Sequence, residues 1–322
     1  MAVAEAKLYQ EGNDTADYTA VAAVEGGDVV QNADGRAGVV PTDLAASALG
    51  SLSTEGIFTV TKAASIVWVD GMELWWDHSA NAAVAQPAGD KDFYLGVAVG
   101  DVAAATTTGK VNLNVKPTYL IDSQTGAFQS LVVKTVVGST TIVIPSIRQV
   151  GGSQMMEFGL TAEAQKVDML STRGFGVESN WIVDGLINIV VDGDHAAVDF
   201  NVGVANATHA SDADSITESC FIHIDGATAN ILAESDDGTT EVAATDTTVD
   251  RVVGTPFHFL MDGRNTEDIQ IYIDGVHVLP SSVFKLNAAT GPLKLLAHME
   301  KSANDTPGTL NIDQLRVRIA NE

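Results

Sequence analysis

Ile269-Gln270-Ile271-Tyr272-Ile273-Asp274-Gly275-Val276-His277-Val278 decides the fold class. Ile269, Ile271 and Ile273 fall on one side of an extended chain, Gln270, Tyr272 and Asp274 on the other, and Val276 and Val278 resume the alternation after Asp-Gly. A period of two is that of a strand with one buried face. Asp-Gly between two such runs supplies the positive φ values of a two-residue hairpin turn. Outward from this hairpin, six Asp-Gly pairs, at 184–185, 192–193, 225–226, 237–238, 262–263 and 274–275, each adjoin an alternating run. All six are read as turns of one β domain. Phe257–Met261 supplies a preceding strand. Leu310–Ile319 closes the domain and is expected to return beside its first strand, as in a sandwich.

The front of the chain alternates in the same way. Gly71–Trp76, Tyr94–Val99 and Lys110–Val115 read as strands, with Val111, Leu113 and Val115 sharing a face. The predicted class is all-β. The predicted domains are residues 1–117, a connector at 118–153 with β content at Leu131–Val133 and Thr141–Ile144, and a β-sandwich at 154–322. Gly151-Gly152-Ser153 is the expected hinge. A single short helix is expected over Thr42–Ala48, capped by Thr42 or Asp43.

The net charge of −25 repels phosphate backbones and anionic lipid, which argues against nucleic-acid and membrane-surface partners. It fits a basic partner, solubility in salt, or colloidal stability at high copy number. One cysteine, Cys220, excludes an intrachain disulfide framework, and its strand context makes it a small buried or half-buried residue. Met1–Lys7 has neither the basic nor the apolar region of a signal peptide, so synthesis in a host cytoplasm is expected. The apolar stretch 135–147 is too short to span a bilayer.

No nucleophile elbow, Walker A loop, dinucleotide fingerprint or His-Glu-x-x-His motif occurs. The histidines lie apart, and His223, His258 and His277 read as satisfied sheet residues. Paired strand carboxylates of the kind that hydrolyse glycosides are not evident. The reading is therefore of no enzyme and no cofactor. Ca2+ held by the loop acids Asp192 and Asp194 is the alternative, against solvated turn acids. Trp75 and Trp76 are adjacent in a strand and face opposite ways; one is expected in the core, the other as an interface anchor or under a loop.

Two resemblances extend this reading. The opening order Leu8-Tyr9-Gln10-Glu11-Gly12, Asp17-Tyr18-Thr19-Ala20, Gly27-Asp28-Val29-Val30, Leu49-Gly50-Ser51-Leu52 and Glu55-Gly56-Ile57-Phe58 resembles the capsid cement, or head decoration, proteins of tailed phages over about residues 5–115. It implies a small barrel-like or tulip-like β domain that grips the outer face of a phage head. It further implies the major capsid protein as partner, a homotrimer, and localisation on the virion. By that analogy residues 7–20 pair with the capsid by strand addition, with Tyr9, Glu11, Asp17 and Tyr18 as the contact residues. Phe257-His258-Phe259, Ile271–Gly275, Leu293–Ala297 and Ile312–Val317 resemble a concanavalin-like or laminin-G jelly roll. That likeness implies a lectin-like outer domain with a host-surface glycan as a further partner. A carbohydrate-binding adhesin without a capsid role is the alternative function.

Overall fold

The computed structural model describes residues 6–11, 15–89, 91–122, 132–146, 153–210 and 212–320. The Gly151-Gly152 hinge lies outside them. Two compact units divide the chain, one over Met1–Thr118 with Asp274–Val276 and one over Tyr119–Ile273 with His277–Glu322.

Ten strands build the first unit: β1 (Ala6–Glu11), β2 (Thr15–Thr19), β3 (Val29–Gln31), β4 (Ala37–Val39), β5 (Leu49–Ser53), β6 (Gly56–Thr61), β7 (Glu73–Asp77), β8 (Ala82–Val84), β9 (Phe93–Ala98) and β10 (Thr108–Leu113). They form a six-stranded sheet, β1-β6-β10-β9-β7-β8, and a four-stranded sheet, β2-β5-β4-β3. Both are open, which corrects the barrel expectation. The six-stranded sheet curls until β8 meets the chain just after β6 in one bridge, Lys62 to Ala83. It stops there because β6 already pairs with β1 and β10, which occupy both of its edges. Phe58, Val60, Trp68, Leu74, Trp76, Leu95 and Val111 are buried in this unit.

The expected helix over Thr42–Ala48 is absent. Leu44 bridges to Val24, Ser47 takes φ 64°, and its N–H donates to Ala20 O, so the segment is a strapped turn. Asp43 does cap, but a loop: it accepts from the Gly26 N–H at 2.8 Å.

The second unit adds β11 (Ile121–Asp122), β12 (Val132–Val137), β13 (Thr140–Ser146), β14 (Ser153–Phe158), β15 (Glu163–Ser171), β16 (Trp181–Val191), β17 (Val198–Ala205), β18 (Ser219–Asp225), β19 (Asn230–Asp236), β20 (Glu241–Asp250), β21 (Phe257–Gly263), β22 (Gln270–Ile273), β23 (Val276–Val278), β24 (Lys294–Asn304) and β25 (Thr309–Ile319). One sheet runs β13-β14-β25-β16-β21-β22-β23 with β11 beside β25; the other runs β12-β15-β24-β17-β18-β19-β20. The stretch expected as a connector thus contributes strands to both sheets. The core lies between them, with Met169, Phe200, Val202, Ile222 and Met299 facing Trp181, Val183, Phe259, Met261, Ile271, Leu315 and Val317. Ala213–Ser215, a single 3-10 turn, is the only helical element among the described residues.

Four of the six Asp-Gly pairs do turn the chain: 192–193, 225–226, 237–238 and 274–275 follow or end strands. Asp274 and Gly275, with φ of 49° and 79°, make the two-residue turn between β22 and β23. Asp184-Gly185 and Asp262-Gly263 instead lie inside β16 and β21. A Cβ on Gly185 would sit 2.3 Å from the Phe259 ring, and one on Gly263 would sit 2.1 Å from the Trp181 indole. These glycines make room for an aromatic ring on the neighbouring strand. Their aspartates anchor arginines: Asp184 accepts from Arg316 at 2.7 and 2.9 Å, and Asp262 from Arg264 at 2.6 Å.

Candidate functional site

In the first unit the expected contact residues fall on the outermost strands of two sheets. Among the described residues β1 ends the six-stranded sheet and β2 ends the four-stranded one, so each leaves one edge of its backbone without a described neighbour in its sheet. An unpaired edge is the template that strand addition requires. Tyr9 sits where the β1–β6 register slips between Leu8 and Gln10, and Glu11 pairs with Gly56; the side chains of both lie outside the described residues. Asp17 is exposed and Tyr18 half-buried on alternate faces of β2, opposite Ser51 and Gly50. One flat surface cannot meet both side chains, whereas a strand docked along the β2 edge passes both.

Trp76 is buried and Trp75 half-buried, so the adjacent pair divides between core and surface. Trp75 packs edge-to-face against Tyr94 with ring centroids 5.5 Å apart, and the Lys116 ammonium lies 5.3 Å from the Tyr94 centroid. This aromatic–cation patch faces outward from β7 and β9. The sequence reading missed Val21 and Leu49, which are 92% and 71% exposed at the end of the β2–β5 ladder.

Residues 9–113 correspond to the family model described as phage cement protein. The N-terminal unit matches the phage cement family. That match takes in the end of β1, all of β2 and the Trp75–Tyr94 pair, and leaves Lys116 and the second unit outside it. No curated protein matched the chain. Among solved structures the chain is similar to protein SO2946 of unknown function from Shewanella oneidensis MR-1, at 14% identity and TM-score 0.40 over 59% of this chain and 78% of that one. It is similar to the carbohydrate recognition domain of Emp46p in its potassium-bound form, at 8% identity and TM-score 0.40 over 60% and 91%. It is also similar to the carbohydrate esterase vb_24B_21 of the Shiga toxin-encoding bacteriophage phi24B, at 11% identity and TM-score 0.40 over 63% and 99%. Likenesses at this level carry no functional argument.

The second unit has a polar network where the outer face of its seven-stranded sheet is expected to be solvated. Antiparallel register sets Asp168, His298, Asn201 and His223 in one row across β15, β24, β17 and β18, and Lys166, Glu300 and Asp199 in the next. Directly opposed residues share a face. Residues 206–210 and 212–218 cover these rows, with Ala213 and Ile216 packed on Leu170, Phe221 and Leu296, and with Lys166 Nζ donating to His209 O.

His298 is held from both sides, Nδ1 at 2.5 Å from Asp168 and Nε2 at 2.7 Å from Glu300. Burial opposes its charge, but these two carboxylates outweigh it and hold the imidazolium form above the usual range. His223 has carboxylates on both nitrogens: Asp214 at 3.1 Å and Glu234 at 3.4 Å from Nδ1, Asp199 at 3.7 Å from Nε2. Burial again works against the proton, yet those partners push its pKa up to about 12. Burial raises Glu234; burial also works to raise Asp214, but the hydrogen bond and charge of His223, with the hydrogen bonds of Asn201 and Glu234, outweigh it and lower that carboxyl.

Of the candidate calcium ligands, Asp192 pairs with Arg251 at 2.9 Å, and Asp194 lies in the following turn at φ 47°. His258 is buried in β21, and Cys220 is buried and free in β18, where burial pushes its thiol up. No helix among the described residues is long and apolar enough to cross a membrane.

Proposed function

We propose that this chain is a capsid cement protein that binds the outer surface of a phage head through its first unit and holds the second unit outward. The observation that carries this is the coincidence of the cement-family match with two sheet-ending strands. In the proposed mode a strand of the major capsid protein extends the β2 or β1 edge by backbone hydrogen bonds. Val21 and Leu49 add side-chain anchoring at the end of the β2–β5 ladder, and the Trp75–Tyr94 pair on β7 and β9 adds a separate contact. Aromatic anchors dominate such interfaces because they bury large area at small entropic cost. The role is structural, stabilising the shell without catalysis, and the oligomer at the shell is a homotrimer. A charge of −25 keeps so acidic a chain away from packaged nucleic acid and favours the outside of the head.

The adhesin alternative calls for exposed rings on a sheet face that can stack on sugars. Among the described residues the aromatic side chains of the second unit are buried or half-buried. The capsid reading is preferred because the family match lies in the first unit. Its test is co-sedimentation of purified chain with undecorated heads. Wild type should pellet in saturable amounts, and Trp75→Ala and a Tyr18→Pro edge-breaking variant should pellet at least tenfold less while keeping native circular dichroism. Equal pelleting of all three would contradict the proposed edge.

A further inference from the structure

The Asn201–Asp214–His223–Glu234 cluster contains a mismatch that hydrogen bonding alone does not resolve. Asn201, 1% exposed, places Nδ2 at 2.9 Å from Asp214 Oδ1, 2.8 Å from Glu234 Oε1 and 3.1 Å from His223 Nδ1, and its Oδ1 has no partner. An amide nitrogen has two protons for these three contacts. His223 Nδ1 also lies 3.1 Å from Asp214 Oδ1. If Nδ1 carries a proton for Asp214, it meets the Asn201 amide donor to donor. If it carries none, it meets the Asp214 carboxylate acceptor to acceptor. The oxygen and nitrogen of an Asn amide are close in size and exchange places by a half-turn of the group. Turned by half a revolution, Asn201 puts its unpartnered oxygen among the same three groups.

So turned, one imidazole nitrogen, one amide oxygen and two carboxylate oxygens converge, with neighbouring atoms 2.8–3.4 Å apart. Ligands ~2.0–2.2 Å from one ion are separated by roughly 3.0–3.6 Å, so these spacings are the edges of a coordination polyhedron. The Asp214, His223 and Glu234 ligand atoms all lie within 4.8 Å of one another. We propose that Asn201, Asp214, His223 and Glu234 form a binding site for a first-row divalent cation, Zn2+ or Mn2+, that ties the 212–218 segment to the sheet.

The imidazole ligand selects this class over Ca2+, which takes oxygen ligands. Asp214 rides on the 3-10 turn capped by Asp212, and its side chain is 45% exposed, which gives the ion an entry side and room for coordinated water. Asp199, facing Nε2 at 3.7 Å, supplies the carboxylate that orients a metal-bound imidazole. A metal-bound imidazole nitrogen carries no proton, so affinity rises with pH.

The test is calorimetric titration of the full chain, stripped with chelator, with ZnCl2 and separately MnCl2 and CaCl2 at pH 7.5. One Zn2+ or Mn2+ should bind per chain, with a rise of several degrees in the melting temperature at saturation. Asp214→Asn should weaken binding at least tenfold, Asn201→Asp should retain it, Asn201→Leu should lose it, and Asp192→Asn should leave it unchanged. Because Asp214 is partly exposed, its variant separates loss of a ligand from loss of the fold, checked by circular dichroism. No saturable Zn2+ or Mn2+ binding by natively folded wild type, or binding equally tight in the Asp214 and Asn201→Leu variants, would overturn the proposal.

Discussion

At the scale of single residues, the histidines show how one side-chain type takes opposite states in one sandwich. His223 and His298 are clasped by carboxylates and hold their protons, whereas His258 is buried in β21 beside Asp184 and Arg316. Burial depresses His258 to about 4; the nearby Asp184 pulls the other way and Arg316 adds to the depression. The unfolded chain titrates this group near 6.5, so between pH 6.5 and 4 it binds a proton that the folded chain refuses. Stability from His258 is therefore complete above pH 6.5 and declines on acidification, by about 3 kcal/mol in all. Urea unfolding of His258→Gln against wild type should show that this part of the acid-side decline has gone; parallel curves would contradict it. The two tryptophans give a second contrast. Trp76→Ala, which empties a buried site, should cost about 3–5 kcal/mol of stability in the first unit. Trp75→Ala should leave melting nearly unchanged and act on capsid occupancy instead.

At the scale of elements, replacing Gly263 tests whether a strand glycine exists for its neighbour's ring. Gly263→Val forces a branched side chain into the Trp181 indole and should destabilise the sandwich by about 3 kcal/mol or prevent folding. Valine at an open strand position would be neutral or favourable. The same glycine shows where sequence reading stops. Asp274-Gly275 was legible as a turn because alternation resumes on both sides within two residues, a local signal. Asp262-Gly263 carries the same two letters, but its glycine answers to a ring 82 residues earlier, across the β16–β21 ladder. The Thr42–Ala48 helix failed for a related reason: Leu44 is claimed by the distant Val24, and tertiary pairing overrides a cap-like start. The cation cluster was illegible for the same cause. Its ligands come from β17, a loop, β18 and β19, and no short motif joins them. The signal within reach was register: a hairpin about Asp225-Gly226 sets His223 opposite Leu232 and one diagonal step from Glu234, with Asn201 across the next ladder.

At the scale of the whole molecule, strand alternation alone was enough for the all-β class, and the opening residues for the likeness to cement proteins. Open sheets replaced the expected barrel because β6 has both edges filled. The two units divide the work in the proposed account, one presenting sheet-ending strands to a shell and the other a separate sandwich with its own core. Removing the first twenty residues takes away β1 and β2 together and should abolish attachment. Cryo-electron microscopy of virions made with and without this chain tests the central claim most directly. The account predicts symmetric surface density at junctions between capsid subunits, accommodating the first unit against the shell, and its loss when the chain is absent. Virions whose outer surface is identical in the two preparations would contradict it.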